Sequence, residues 1–137
     1  MLRLLQTYNF RMLPANRVAL GRFHVLVGQN ATGKSTFISA VQLVSDVIRL
    51  GAKRAVEEKG ATFPELCFDT NQPIAFALEI EVPEGDSGHA DLRYELELGV
   101  DASNGGGLHV LRENLYILQQ PSDLPEPEQR SLFGPVT

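Results

Sequence analysis

Residues 28–35 read Gly28-Gln29-Asn30-Ala31-Thr32-Gly33-Lys34-Ser35, a complete G-x-x-x-x-G-K-[ST] pattern. Residue types at this spacing suit one kind of chemistry, the cradling of nucleotide phosphates. The dense negative charge of β- and γ-phosphates is held by backbone N–H groups pointing inward at the positive end of a helix, and the two glycines allow the backbone path that aims them. Lys34 is placed to bridge the β- and γ-phosphate oxygens as a point charge, and the Ser35 hydroxyl to take one coordination position on Mg²⁺. Thr36, one residue on, is placed at the α-phosphate. The bland alternative is a glycine-rich turn that binds nothing, but a Lys-Ser pair has no purpose in such a turn.

A loop of this kind works only between a strand and a helix. Phe23-His24-Val25-Leu26-Val27 is short, apolar and β-branched, as a buried strand should be. After Lys34 the apolar residues fall at helical spacing. Phe37, Val41, Val44 and Ile48, with Ile38 beside them, predict a stripe that faces a sheet, and Gly51 predicts the helix end, with Lys53 and Arg54 just beyond.

Ahead of this unit, residues 2–13 and 18–27 read as two strands joined by a turn at Pro14-Ala15-Asn16. Behind it, residues 52–59 suggest a short helix, and residues 62–72 a connection punctuated by Phe63-Pro64 and Asn71-Gln72-Pro73. The period then changes to two. Ile74, Phe76, Leu78, Ile80 and Val82 alternate with polar or small residues, as do Leu92, Tyr94, Leu96, Leu98 and Val100 after a glycine-containing turn at residues 84–88. A third strand over 108–118 completes an antiparallel meander with one buried face. Gly105-Gly106-Gly107 joins two strands with no helix after it, so it predicts a hairpin turn and not a second phosphate loop. Residues 119–137 open as an acidic, proline-rich loop.

With 137 residues, 43% hydrophobic and 21% charged, the chain has material for one core and too little for two ordinary domains. No apolar run reaches membrane-spanning length and residues 1–6 do not resemble a signal peptide, so a cytoplasmic location is expected, with no membrane partner. Cys67 is the single cysteine, and His24, His89 and His109 show no ligand spacing. The formal charge of −5 is divided unevenly, nine Lys/Arg against three Asp/Glu in residues 1–60 and three against fourteen thereafter. The basic part surrounds the glycine loop, which suits an anionic ligand.

An early strand pair carrying Asn9-Phe10-Arg11, then the strand and loop of residues 23–35, a long helix and an antiparallel meander resembles the front of an ABC-type AAA ATPase of the RecF/SMC-like or OLD-like kind. Asn30, two places after the first loop glycine, matches a frequent choice in that group, and Arg112-Glu113-Asn114-Leu115 is similar to the strand that closes its meander. Ala31 departs from the commoner second glycine. The resemblance spans residues 2 to about 118. It implies an α/β P-loop NTPase fold of ABC-ATPase type, present in part: residues 1–60 as strands, loop and helix, 73–118 as meander, and 119–137 as a truncated loop. It implies ATP and Mg²⁺ as cofactors, with the nucleotide held by residues 28–36. Phe10 or Arg11 would lie beside the adenine or the phosphates, though Phe10 also reads as core. Gln119 or Gln120 would be the glutamine that senses Mg²⁺ and the attacking water.

Such ATPases also use a strand ending in Asp-Glu, and none is present. Leu66-Cys67-Phe68-Asp69 comes nearest but continues with Thr70. A Leu-Ser-Gly-Gly-type signature is missing too. The catalytic residue is therefore unassigned, and the chain is expected to be the N-terminal half of a longer ATPase. The C-terminal remainder would be its partner, with a head-to-head homodimer and nucleic-acid contact arising in the parent. A fragment of that kind is expected to associate or aggregate, because only the strand around Val25 offers parallel core to the helix. Two other classes remain open. A small-molecule kinase would follow the loop with parallel α/β repeats and an arginine-rich lid, and an interaction module would carry a vestigial loop. A GTPase is disfavoured by the lack of an Asn-Lys-x-Asp motif.

Overall fold

The computed structural model describes residues 1–21 and 34–118. Their strands form one five-stranded sheet in the order β2-β1-β3-β4-β5, with β1 at Leu2–Phe10, β2 at Leu13–Ala19, β3 at Ile74–Glu84, β4 at Gly88–Val100 and β5 at Leu108–Leu118. Every neighbouring pair is antiparallel. Helices α1 (Lys34–Leu50), α2 (Ala52–Glu58) and α3 (Phe63–Leu66) lie between β2 and β3 in the chain.

Alternation decides which side chains meet the helices. The register sets Leu5 opposite Leu78, Phe76 opposite Leu96 and Ile74 opposite Leu98, so all six share one face. These six form one buried cluster with Ala40, Leu43, Val44 and Val47 of α1, Ala55 and Val56 of α2, and Phe63 and Leu66 of α3. Burying a side chain such as Phe76 is worth about 2 to 3 kcal/mol.

The α1 stripe is rotated from the expected one. Thr36, Ala40, Leu43, Val44 and Val47 are buried, whereas Ile38 and Ile48 are 52% and 60% exposed. The buried set keeps strict helical spacing; choosing by apolarity favours Ile48 over the small Ala40 and so turns the face by about one residue. The stripe also finds its cover in the antiparallel sheet, and does not depend on a parallel strand alone. Gly51 ends α1 as expected, with φ +84° and its N–H donating to the Val47 carbonyl at 2.9 Å.

Two further local readings are corrected. The first hairpin turns at Arg11 and Met12, with Phe10 paired to Leu13, and Pro14-Ala15-Asn16 lies inside β2. Proline is tolerated there because β2 is the outer strand of the described sheet. The stretch read as plain connection contains α3, whose Pro64 sits in the first turn where no helical N–H is required. The Glu65 carboxylate accepts the Thr62 N–H at 2.6 Å and its hydroxyl at 3.0 Å, and these bonds hold its pKa below the ordinary carboxylate value.

The opposite sheet face carries buried charge. Arg93 is fully buried and donates from Nε to Glu95 Oε1 at 2.7 Å, from Nη1 to Glu79 Oε1 at 3.0 Å and from Nη2 to Gln6 Oε1 at 2.8 Å. The guanidinium thus ties β1, β3 and β4 together. At the other end of this hairpin system, Gly105 and Gly106 adopt φ +85° and +72°, supplying the turn into β5.

Candidate nucleotide site

The α1 N-terminus is the part of the expected site that the structure describes. Helix α1 begins at Lys34, directly after the last glycine of the G-x-x-x-x-G-K-[ST] pattern, and its first turn contains no acidic residue. Seventeen residues of aligned peptide dipoles therefore end on a turn free of competing carboxylate, a setting that favours an anion. Ser35 is exposed and Thr36 is only 6% exposed, so the two adjacent hydroxyls lie in different surroundings. Gly28, Gln29, Asn30, Ala31, Thr32 and Gly33 lie outside the described residues, as do the expected strand at 23–27 and Gln119 and Gln120. The two glutamines follow directly on Leu118, the last residue of β5.

The second part is the end of β1. Phe10 is fully buried, its ring meeting Phe76 edge-on at 5.2 Å between centroids. It is therefore core, and offers no open face on which adenine could stack. Arg11 is partly exposed at the hairpin turn, with its guanidinium carbon 5.7 Å from the centre of the Phe10 ring. Of the expected pair, only Arg11 stands where a ligand can reach it.

The backbone around Phe10 is unusual. Asn9 has φ +59° and Arg11 φ +49°, the two described non-glycine residues with positive φ. Left-handed backbone costs a non-glycine residue about 1 to 2 kcal/mol, and it persists where surrounding contacts enforce it. Those contacts come from the connection between α3 and β3. Asn9 Nδ2 reaches the carbonyls of Asp69 at 2.8 Å, Gln72 at 2.9 Å and Pro73 at 3.2 Å, while Asn9 Oδ1 accepts the Asp69 N–H at 2.6 Å. The backbone contributes as well: Phe68 N–H donates to the Asn9 carbonyl at 3.1 Å and Arg11 N–H to the Leu66 carbonyl at 2.8 Å. The Asn-Phe-Arg order marks this place in the sequence, but nothing in the sequence reveals that Asn9 binds residues sixty positions away.

Asp69, the nearest approach to a catalytic carboxylate, has a local task. Its Oδ1 accepts the Asn71 N–H at 2.9 Å and shapes the turn that Asn9 grips. Beside it, burial and the Asp69 charge push the Cys67 thiol pKa up, leaving it the less nucleophilic thiol form.

A separate group missed by sequence spacing lies on the β3–β4 hairpin, where ligand atoms of Glu81, His89 and Asp91 all come within 4.8 Å of one another. Glu81 comes from the strand opposite Asp91, so the grouping exists only in the paired sheet. Its carboxylate is already ion-paired to Arg3. On the helical side of the same strand pair, burial and a 2.7 Å hydrogen bond to Glu113 push the Tyr94 phenol upward.

Among comparisons with known proteins, the family model described as "AAA domain, putative AbiEii toxin, Type IV TA system" matches residues 23–131. No curated protein matches the chain. The matched span takes in the glycine loop, α1 to α3 and β3 to β5. No described helix is long and apolar enough to cross a membrane.

Proposed function

The chain belongs to this AAA-domain family, a P-loop ATPase-type family, and on that premise we propose that it binds ATP with Mg²⁺ through residues 28–36. The observation that carries the reading is the coincidence of the complete G-x-x-x-x-G-K-[ST] pattern with the carboxylate-free N-terminus of α1. Lys34 would hold the phosphates by its charge, Ser35 would be a ligand to Mg²⁺, and the loop would supply backbone N–H donors to the phosphates. Arg11 adds a cationic contact from the β1–β2 turn, and Gln119 or Gln120 is the candidate sensor of metal and water.

The architecture we propose is that of an ABC-type ATPase of the RecF/SMC-like or OLD-like group, in which ATP would drive two head domains together. The all-antiparallel described sheet supports this over a small-molecule kinase, whose loop leads into parallel α/β repeats. In such a domain a second carboxylate motif places metal and water, and for this chain we propose nucleotide binding. The family description also names an AbiEii toxin of a type IV TA system, and for this chain we propose the nucleotide site alone.

Ligand protection tests the reading. Mg-ATP at a hundredfold excess over its Kd stabilises a binding protein by about 2.7 kcal/mol. A rise in Tm with Mg-ATP that is absent with Lys34→Ala is expected. An unchanged Tm at saturating Mg-ATP, with no binding by a labelled analogue, contradicts it.

A further inference from the structure

We propose that Glu81, His89 and Asp91 form a divalent transition-metal site near the tip of the β3–β4 hairpin, one that takes Zn²⁺ and leaves further positions to water. This site is independent of the nucleotide reading. Strand pairing assembles it: Glu81 lies directly opposite Asp91, and His89, opposite Pro83, is two residues before Asp91 on the same sheet face. Ligand atoms of the three residues come within 4.8 Å of one another. Zn²⁺ holds imidazole nitrogen and carboxylate oxygen at about 2.0 to 2.2 Å, so closing on one ion takes a movement of about 1 Å, which the exposed His89 and Asp91 side chains can make.

The charges around the group call for a cation. Two carboxylates directly opposite each other on one sheet face repel. Arg93, two residues beyond Asp91, is engaged by Glu95 and Glu79, and Arg3 pairs with Oε2 of Glu81. Among the described residues, no hydrogen bond or ion pair engages the side chain of His89 or Asp91. A carboxylate can carry an arginine on one oxygen and a metal on the other, so Arg3 orients Glu81 without closing the site. The imidazole selects the class of ion: Mg²⁺ and Ca²⁺ take oxygen ligands, whereas imidazole nitrogen suits zinc and its first-row neighbours. The place is preformed and open. Register between β3 and β4 runs unbroken from Ile74 and Leu98 to Glu84 and Gly88. Pairing with β1 stops at Ile80 and pairing with β5 at Asp91, so the hairpin end carrying His89 projects past both neighbouring strands.

Calorimetric titration of ZnCl₂ into the full chain, in buffer free of chelators, tests the site. One saturable Zn²⁺ per chain is expected, bound more tightly than Mg²⁺ or Ca²⁺. His89→Ala and Asp91→Asn should each weaken it about tenfold or more, since even groups that only orient metal ligands contribute that much. Both residues are exposed, so the variants keep the fold, which circular dichroism verifies. A zinc-dependent rise in Tm should accompany binding and disappear with His89→Ala. Cys67→Ser and His109→Ala, which remove the single thiol and the other described imidazole, should retain wild-type affinity. Absence of saturable binding, or wild-type zinc affinity in either His89→Ala or Asp91→Asn, overturns the proposal. Binding lost through Cys67→Ser or His109→Ala overturns it as well, because the ion would then sit elsewhere.

Discussion

Arg93 Nη2 donates to Gln6 Oε1 at 2.8 Å, a bond between residues 87 positions apart that runs from β4 across β3 to β1. It is one branch of a buried guanidinium whose other branches end on Glu95 and Glu79. Removing the cation alone strands Glu95, which is 3% exposed, without its partner. Arg93→Ala is therefore expected to destabilise the protein by about 3 to 5 kcal/mol. Replacing Arg93 and Glu95 together by Met and Leu is expected to recover most of that loss. Urea denaturation of the two variants checks this, and equal stabilities would show that the charges are not coupled.

Glu97 faces Arg112 across β4 and β5. Burial raises its pKa, and the Arg112 charge partly opposes the shift. A carboxyl with a folded pKa above its unfolded value binds protons more tightly when folded, so its ionisation lowers stability above the folded pKa. Glu97→Gln should accordingly raise Tm at pH 7, and the gain should disappear as pH falls through the folded pKa to the unfolded value. Thermal melts across that range give the sign directly.

Glu65 has the opposite dependence. Its pKa is lowered by the Thr62 backbone and hydroxyl bonds. The stabilisation is present above the unfolded value of about 4.3 and is lost as pH falls through the lower folded pKa. Glu65→Ala should reduce Tm at neutral pH and converge with wild type in acid. Parallel curves at all pH values would show that the cap contributes nothing through its charge.

The outer side of β5 exposes apolar side chains. Leu115 and Ile117 are 63% and 59% exposed on the sheet face that carries the helices, and β5 ends the described strand order. Exposed apolar side chains on an edge strand favour pairing with another chain. Leu115→Lys is expected to lower self-association in sedimentation, with the circular dichroism spectrum unchanged.

Much of this fold is legible in the sequence because it rests on local periodicity. The alternation from Ile74 to Val82 and from Leu92 to Val100 lies within β3 and β4, and Gly51 terminates α1 where its conformational freedom is needed. What the sequence hides depends on distant partners. Arg93 and Glu95 occupy polar positions of an alternating strand, which ordinarily face water, and only pairing with Gln6 and Glu79 makes their burial possible. Phe10 has the same residue type whether it stacks on a base or fills a core, and Phe76, 66 positions away, decides for the core. Asn9 reads as an ordinary strand residue until the 69–73 turn folds around it. The glycine loop is legible for the converse reason, since phosphate chemistry fixes its residue types within eight consecutive positions.

The most direct test of nucleotide binding is calorimetric titration of Mg-ATP into the wild-type chain and into Lys34→Ala. Loss of one charge-assisted phosphate contact corresponds to about 1.5 to 3 kcal/mol, a weakening of roughly 10- to 150-fold. A saturable wild-type isotherm with one ATP per chain is expected, with the affinity reduced by that factor in the variant. Equal affinity in the two proteins would contradict it.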